Sequence, residues 1–305
     1  MKPLWVFPVL LLCPLYATFA QSAPPPAAAQ TPPGTPQTTA PGSPPDAAQT
    51  PAPPPVLENH GKPMVVPFRC TAEDFHWAGL SCTEEEPCPI FLELSGAAAA
   101  PGGRLFVSGN IHTESVTLYS MLLSSGTAGQ TWTEVHERIR GASLEHIQFL
   151  DSDTGWVSGQ ELFPIPQNPF LLLTSDNGNT WAQRAVLNEA AENRFGTVQQ
   201  FLFTEKKSGT LIVDRGQGSD TDRYALFESQ NAGESWNIVQ ESAKPLRFKQ
   251  APPPAEWRVR VDAVSRSFHV ERRQGERWSS VAAFAVKLDP CKPPPPPPDP
   301  GVGPQ

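Results

Sequence analysis

Tyrosine is the scarcest aromatic here, with three among 305 residues, and only Tyr119 and Tyr224 lie beyond the first twenty. Chemistry built on a tyrosine nucleophile therefore has just two candidates. Cysteine pairs of the CxxC type are missing, and the six histidines keep no ligand spacing. A zinc site needs clustered thiolates or imidazoles, so no metal or cofactor is expected. Asp151, Asp153 and the acidic loop from Asp214 to Asp222 lack the spacing of a calcium loop and read as solvated turns. After the first dozen residues no apolar run is long enough to span a bilayer. Windows with a 3.6-residue apolar period are also missing, apart from a turn or two at Asn188 to Asn193, which excludes a helical bundle. The net charge of −8, in a chain read below as exported, argues against a nucleic-acid partner.

What the chain has in excess is proline, 37 residues, most of them at its two ends. Residues 1–20 read as a signal peptide: Lys2, an apolar core through Leu12, and small residues before Gln21. An exported protein, periplasmic or extracellular, is expected. Residues 21–63, rich in Pro and Ala, cannot bury enough apolar surface to offset their ordering entropy and read as a disordered linker. Residues 292–305 read as a polyproline tail. The folded part is then 64–291, enough for one sizeable domain. It carries Cys70, Cys82, Cys88 and Cys291, which suggest two disulfides with three possible pairings. Cys82 and Cys88 enclose a short acidic loop, whereas Cys70 and Cys291 stand at the two ends of the domain.

Within that domain one hairpin recurs. Thr174-Ser175-Asp176-Asn177-Gly178-Asn179-Thr180-Trp181 places turn residues between an apolar run and a tryptophan. Ser125-Gly126-Thr127-Ala128-Gly129-Gln130-Thr131-Trp132 and Ser229-Gln230-Asn231-Ala232-Gly233-Glu234-Ser235-Trp236 repeat it. Glu271-Arg272-Arg273-Gln274-Gly275-Glu276-Arg277-Trp278 keeps the Gly and the Trp. The glycines Gly129, Gly178, Gly233 and Gly275 are 49, 55 and 42 positions apart, the period of propeller blades. A second landmark holds the same phase: Leu105 to Gly109, Gly155 to Gly159, Gly209 to Val213, and Trp257 to Val261. Four strands can be written for each unit, the fourth unit opening with Leu246 to Gln250. The expected fold is all-β, a propeller of four to five four-stranded antiparallel blades. Residues 64–88 are left as part of a fifth blade, a lid, or strands completing the last one.

The frame S/T-x-D/N-x-G-x-S/T-W resembles the Asp-box (BNR) repeat. The resemblance implies structural work for Ser125, Gly129, Trp132, Ser175, Asp176, Gly178, Trp181, Asn231, Gly233, Trp236, Gly275 and Trp278: side-chain oxygens cap the turn and rings pack between sheets. Asp-boxes also occur in sialidases, whose chemistry implies a tyrosine nucleophile, an acid and three arginines. No Arg precedes Ile165-Pro166 where that family carries Arg-Ile-Pro. The pairing of Phe149 to Gly159 with Thr174 to Trp181 is similar to the repeat of the photosystem II stability/assembly factor-like propellers, over about 90–280. That likeness implies a non-enzymatic assembly factor with an arginine-bearing face.

Charge adds one feature. Lys244 to Lys287 carries ten Lys/Arg against four Asp/Glu in an otherwise acidic chain. Arg258, Arg260, Arg272, Arg273 and Arg277 fall in the last predicted blade, a candidate surface for an anionic partner. The reading from sequence is an exported, non-catalytic propeller that binds a protein or envelope component. A sialidase-like glycoside hydrolase and a glycan-binding module are the alternatives. No catalytic residue is assigned, and the oligomeric state is not legible.

Overall fold

Leu105–His112 and Gly155–Glu161 are buried at every position but the last, as strands covered on both faces are. The computed structural model describes residues 54–187, 195–216 and 222–293. In it these segments form four consecutive antiparallel sheets. The first contains β1 (Leu57–Glu58), β2 (Phe91–Ala99), β3 (Leu105–His112), β4 (Thr117–Ser125) and β5 (Thr131–Glu134), in spatial order β1-β5-β4-β3-β2. The second is the meander β6 (Ala142–Phe149), β7 (Gly155–Glu161), β8 (Gln167–Thr174) and β9 (Ala182–Ala185). The third repeats it with β10 (Thr197–Phe203), β11 (Gly209–Asp214), β12 (Tyr224–Ser229) and β13 (Asn237–Ser242). The fourth has three strands, β14 (Trp257–Asp262), β15 (Ser267–Gln274) and β16 (Arg277–Ala285).

The sheets pack face to face as propeller blades do, but the ring is not closed. β6 packs on β2, β3 and β4, β10 packs on β6, β7 and β8, and β14 packs on β2. The spatial order is therefore fourth, first, second, third. Third and fourth sheets do not pack on each other in the way the other neighbours do. The reason lies in the fourth unit: Leu246 to Gln250, expected as its inner strand, forms none. Pro245 and Pro252–Pro254 around it remove ladder donors. What would be the blade's second strand, β14, then meets β2 directly.

The junction of fourth and first sheets is sealed by the N-terminal segment. Leu57 pairs with Trp132, and Met64 bridges Phe284 in the fourth sheet. Between them Asn59 Nδ2 donates to the carbonyls of Gly129 (3.1 Å) and Val281 (3.0 Å), one on each side. Met64 and Val66 are buried with Ile90, Leu92, Trp132, Val270 and Phe284 in the largest core. The expected linker boundary at residue 64 is thus corrected: strand pairing begins at Leu57. Cys70 bonds Cys291 and Cys82 bonds Cys88, so the long bridge ties the start of the domain to its end at this same junction.

Residues 64–88 build no fifth blade. They hold α1 (Ala72–Ala78), a helix with no apolar period of its own. Its start is set locally by a capping box: Thr71 accepts from the Asp74 N–H, and Asp74 Oδ2 accepts from the Thr71 N–H at 2.8 Å. Gly79, left-handed at φ 60°, ends it. Asp74, 1% exposed, also accepts the Tyr119 hydroxyl proton, and Arg140 donates to Tyr119 and Glu73. The turn expected at Asn188 to Asn193 lies outside the described residues, as do most of the acidic loop after Gly216 and the tail beyond Pro293.

Candidate functional site

In three recurrent hairpins the first residue of the frame is a hydroxyl that accepts the glycine N–H. Ser125 takes it from Gly129, Thr174 from Gly178 and Ser229 from Gly233, each at 2.9 Å. The third-position side chain accepts the N–H four residues on: Thr127 from Thr131 (2.8 Å), Asp176 from Thr180 (2.9 Å), Asn231 from Ser235 (3.0 Å). These bonds fill backbone donors that a hairpin tip leaves open. The Thr180 N–H and hydroxyl hold the Asp176 carboxyl below its ordinary pKa. Ser175, expected in the capping role, is exposed, and the neighbouring Thr174 performs it. The fourth copy is no box: Gln274 pairs with Arg277 across a tight two-residue turn at Gly275 and Glu276. Its frame-leading residue is Glu271, whose carboxylate turns to arginines instead.

Each true box plugs into the sheet before it in space. Gly178 sits where a Cβ would strike the Phe106 ring, and Trp181 meets Phe106 and Phe149 edge-on. Gly233 lies over Leu171, while the Trp156 indole donates to the Ala232 carbonyl at 3.2 Å. Trp156 stacks on Phe203 with centroids 3.8 Å apart. Gly129 lies against Val281, and Trp132, fully buried, meets Phe284. The receiving position is Phe106 in β3 and Trp156 in β7; in β11 it is Thr210. Third and fourth units have thus lost both halves of the missing joint, the socket and the plug.

The arginines of the last blade divide. Arg258 and Arg260 point to one buried carboxylate, donating to Glu271 at 2.7 and 2.8 Å. The two guanidinium groups outweigh burial and hold Glu271 below the usual carboxylate range. Arg258 also lies over Trp278 at 4.2 Å. Arg273 shares that outward face, pairing with Trp278, whereas Arg272 pairs with Trp257 on the opposite face. Among the described residues no ion pair engages Arg272, Arg273 or Arg277. The single basic surface expected from sequence is therefore corrected to a half-neutralised face and a separate hairpin end.

A cavity of about 380 Å³ lies where the sheets converge. β2 contributes Ala97, Ala98 and Ala99, β6 contributes His146 to Phe149, and β10 contributes Phe201 and Leu202. Pro252, Pro253 and Pro254 with Glu256 and Trp257 complete the wall from the fourth unit. Small alanines on β2 leave the space open, and the irregular proline segment replaces the absent inner strand. The lining is mainly apolar, with His146, Gln148 and Glu256 as its polar side chains and Glu256 its one acid. Burial lowers the pKa of His146 there. Behind it on β6, burial and the like charge of Glu93 raise the Glu145 pKa. Sequence reading missed Glu93, Glu145 and His146, because nothing marks them until two inner strands lie side by side.

Among the described residues, neither tyrosine named for sialidase chemistry has an arginine triad around it. Tyr119 has one arginine at its hydroxyl, Arg140, itself held by Glu73. Tyr224 has Arg223 over its ring, bonded at 2.8 Å through two nitrogens to Asp214.

Fold and joints together define an open, four-sheet propeller with hairpins plugged between its sheets. No protein-family model and no curated protein matches the sequence. Among solved structures the chain is similar to YCF48 bound to D1 peptide, at 17% identity over 63% of this chain and 54% of that one, TM-score 0.37. YCF48 from Cyanidioschyzon merolae matches at 13% identity over 72% and 55%, TM-score 0.34. An α-L-arabinanase from Penicillium chrysogenum, complexed with arabinobiose, matches at 16% over 74% and 66%, TM-score 0.36. The chain spans a little over half of the first two. These neighbours include a peptide-bound protein and a glycan-bound enzyme, and the function of this chain is read from its own residues.

Proposed function

We propose that this is an exported, non-catalytic propeller scaffold that binds a partner polypeptide at the mouth where its four units converge. The carrying observation is the lining: alanine, proline, phenylalanine and tryptophan with His146, Gln148 and a single acid, a surface suited to apolar side chains and extended backbone. Proline and tryptophan bring contact area with little side-chain entropy to lose on binding. The first three box hairpins serve as joints between sheets, and their acids and amides hold turns. Export rests on the leader-like start of the sequence and on the two cystine bridges. The test is cross-linking capture from envelope extract with the full mature chain and with Trp257→Ala. Recovery of the same partner at equal yield from both would remove the mouth from the proposal.

A second reading has one observation in its favour: Glu145, its acidity weakened by burial and, to a lesser extent, by Glu93, resembles the divided acid pair of a glycoside hydrolase. Turnover of a fluorogenic sialoside or arabinoside, lost in Glu145→Gln, would establish it over the binding role.

A further inference from the structure

Edges of the first and fourth sheets are covered by the chain itself. β1 lies on β5 with Leu57 opposite Trp132, and Asn59 N–H continues the ladder to the Gln130 carbonyl at 2.8 Å. On β16 the Met64 N–H donates to Ala283 and its carbonyl accepts from Ala285, both at 2.8 Å. The second sheet ends in β9, four residues long and bearing the half-buried Arg184, a short charged edge that resists pairing.

β13 is neither covered nor so short, and its one charged residue, Glu241, stands near its end. It is the terminal strand of its sheet, and among the described residues nothing pairs with its outer side. Ile238 and Val239 are 50% and 48% exposed. The ladder register aligns Phe201, Leu211, Phe227 and Ile238 in one row across the sheet. Exposure along that row is 9%, 0% and 3%, then 50% at Ile238. An apolar row that runs out at an open edge is completed when a further strand sets an aliphatic side chain beside its last member. Leu57 does this for Trp132 on the first sheet.

We propose that β13 is a strand-addition site that takes an extended segment of a partner polypeptide, antiparallel, with an aliphatic residue opposite Ile238. Main-chain bonds to the free edge supply affinity, and the row ending at Ile238 supplies the side-chain preference. The size of the edge argues for an extended segment over a second globular copy. Six residues bury far less than the roughly 1,600 Å² of a stable interface, and Asn237, Gln240 and Glu241 around the apolar pair are polar and exposed. Exposed Glu234 before the strand favours a basic residue at one end of the occupant. The site is separate from the mouth and stands whether or not the mouth binds.

The probe is a labelled octapeptide of alternating threonine and valine with a lysine at each end, titrated into the full mature chain. Saturable anisotropy is expected, with slowed amide exchange confined to residues 237–242. Ile238→Lys should weaken binding at least tenfold with circular dichroism unchanged, and Ile238→Thr should weaken it less. Absence of saturation, protection at another edge, or equal affinity in both variants would overturn the proposal. So would concentration-dependent dimerisation of the free chain that Ile238→Lys abolishes, since it would make the occupant a second copy.

Discussion

Asp176 occupies a place held by Thr127 in one hairpin and Asn231 in another, so an acceptor matters there more than a charge. Asp176→Ala loses the bonds to Asn179, Thr180 and the Thr180 hydroxyl and should cost about 1–2 kcal/mol by chemical denaturation. Asp176→Asn should retain most of that stability at neutral pH. Because the folded carboxyl titrates below its unfolded value of roughly 3.9, its contribution is fully present above that value. It fades as pH falls through the folded pKa. Melting temperature measured from pH 6 to pH 2 should therefore fall less steeply in Asp176→Asn than in the parent. Glycines make a sharper contrast. Gly178 and Gly275 both have left-handed φ, 71° and 63°, but only Gly178 has a ring where a Cβ would go. Gly275→Ala should cost about 1 kcal/mol of backbone strain, and Gly178→Ala about 1–3 kcal/mol more from overpacking. Equal losses on denaturation would show that the second box does not plug into the first sheet.

Strands were visible as alternation and turn chemistry because those signals are local, and β3, β7, β11 and β14 start on the residues that open the second landmark, Leu105, Gly155, Gly209 and Trp257. α1 was not legible. Seven residues are too few for an apolar period, and besides its local cap Asp74 is held by Tyr119, 45 positions away. Tyr119→Phe leaves the buried Asp74 carboxylate short of a donor and should cost about 1–3 kcal/mol. Amide exchange should speed selectively in α1, and uniform acceleration through the first sheet would show that the hydroxyl holds more than the helix. The missing strand at Leu246 to Gln250 has a different cause. Its pattern is compatible with pairing, yet the prolines on both sides deny it a continuous ladder. The arginine patch dissolved likewise: Arg258 and Arg260 look free in sequence, and only the register with β15 brings Glu271 between them.

Across the whole molecule the two cystine bridges differ in what they constrain. Cys70 and Cys291 are 221 positions apart, Cys82 and Cys88 only 6. By chain entropy, replacing the first pair with serine should cost about 5 kcal/mol and the second about 2. Thermal and denaturant unfolding of the two double variants tests the order; a reversal would mean the long bridge is not what holds first and fourth sheets together. Sequence alone determined the all-β class, the repeat and the capping chemistry of three hairpins, because each depends on residues within eight positions of one another. Tertiary structure alone decided the order of the sheets, the open joint between third and fourth, the cover over two edges and the lining of the mouth. Those depend on which distant surfaces meet, and a contact between Trp132 and Phe284 leaves no mark on the residues between them.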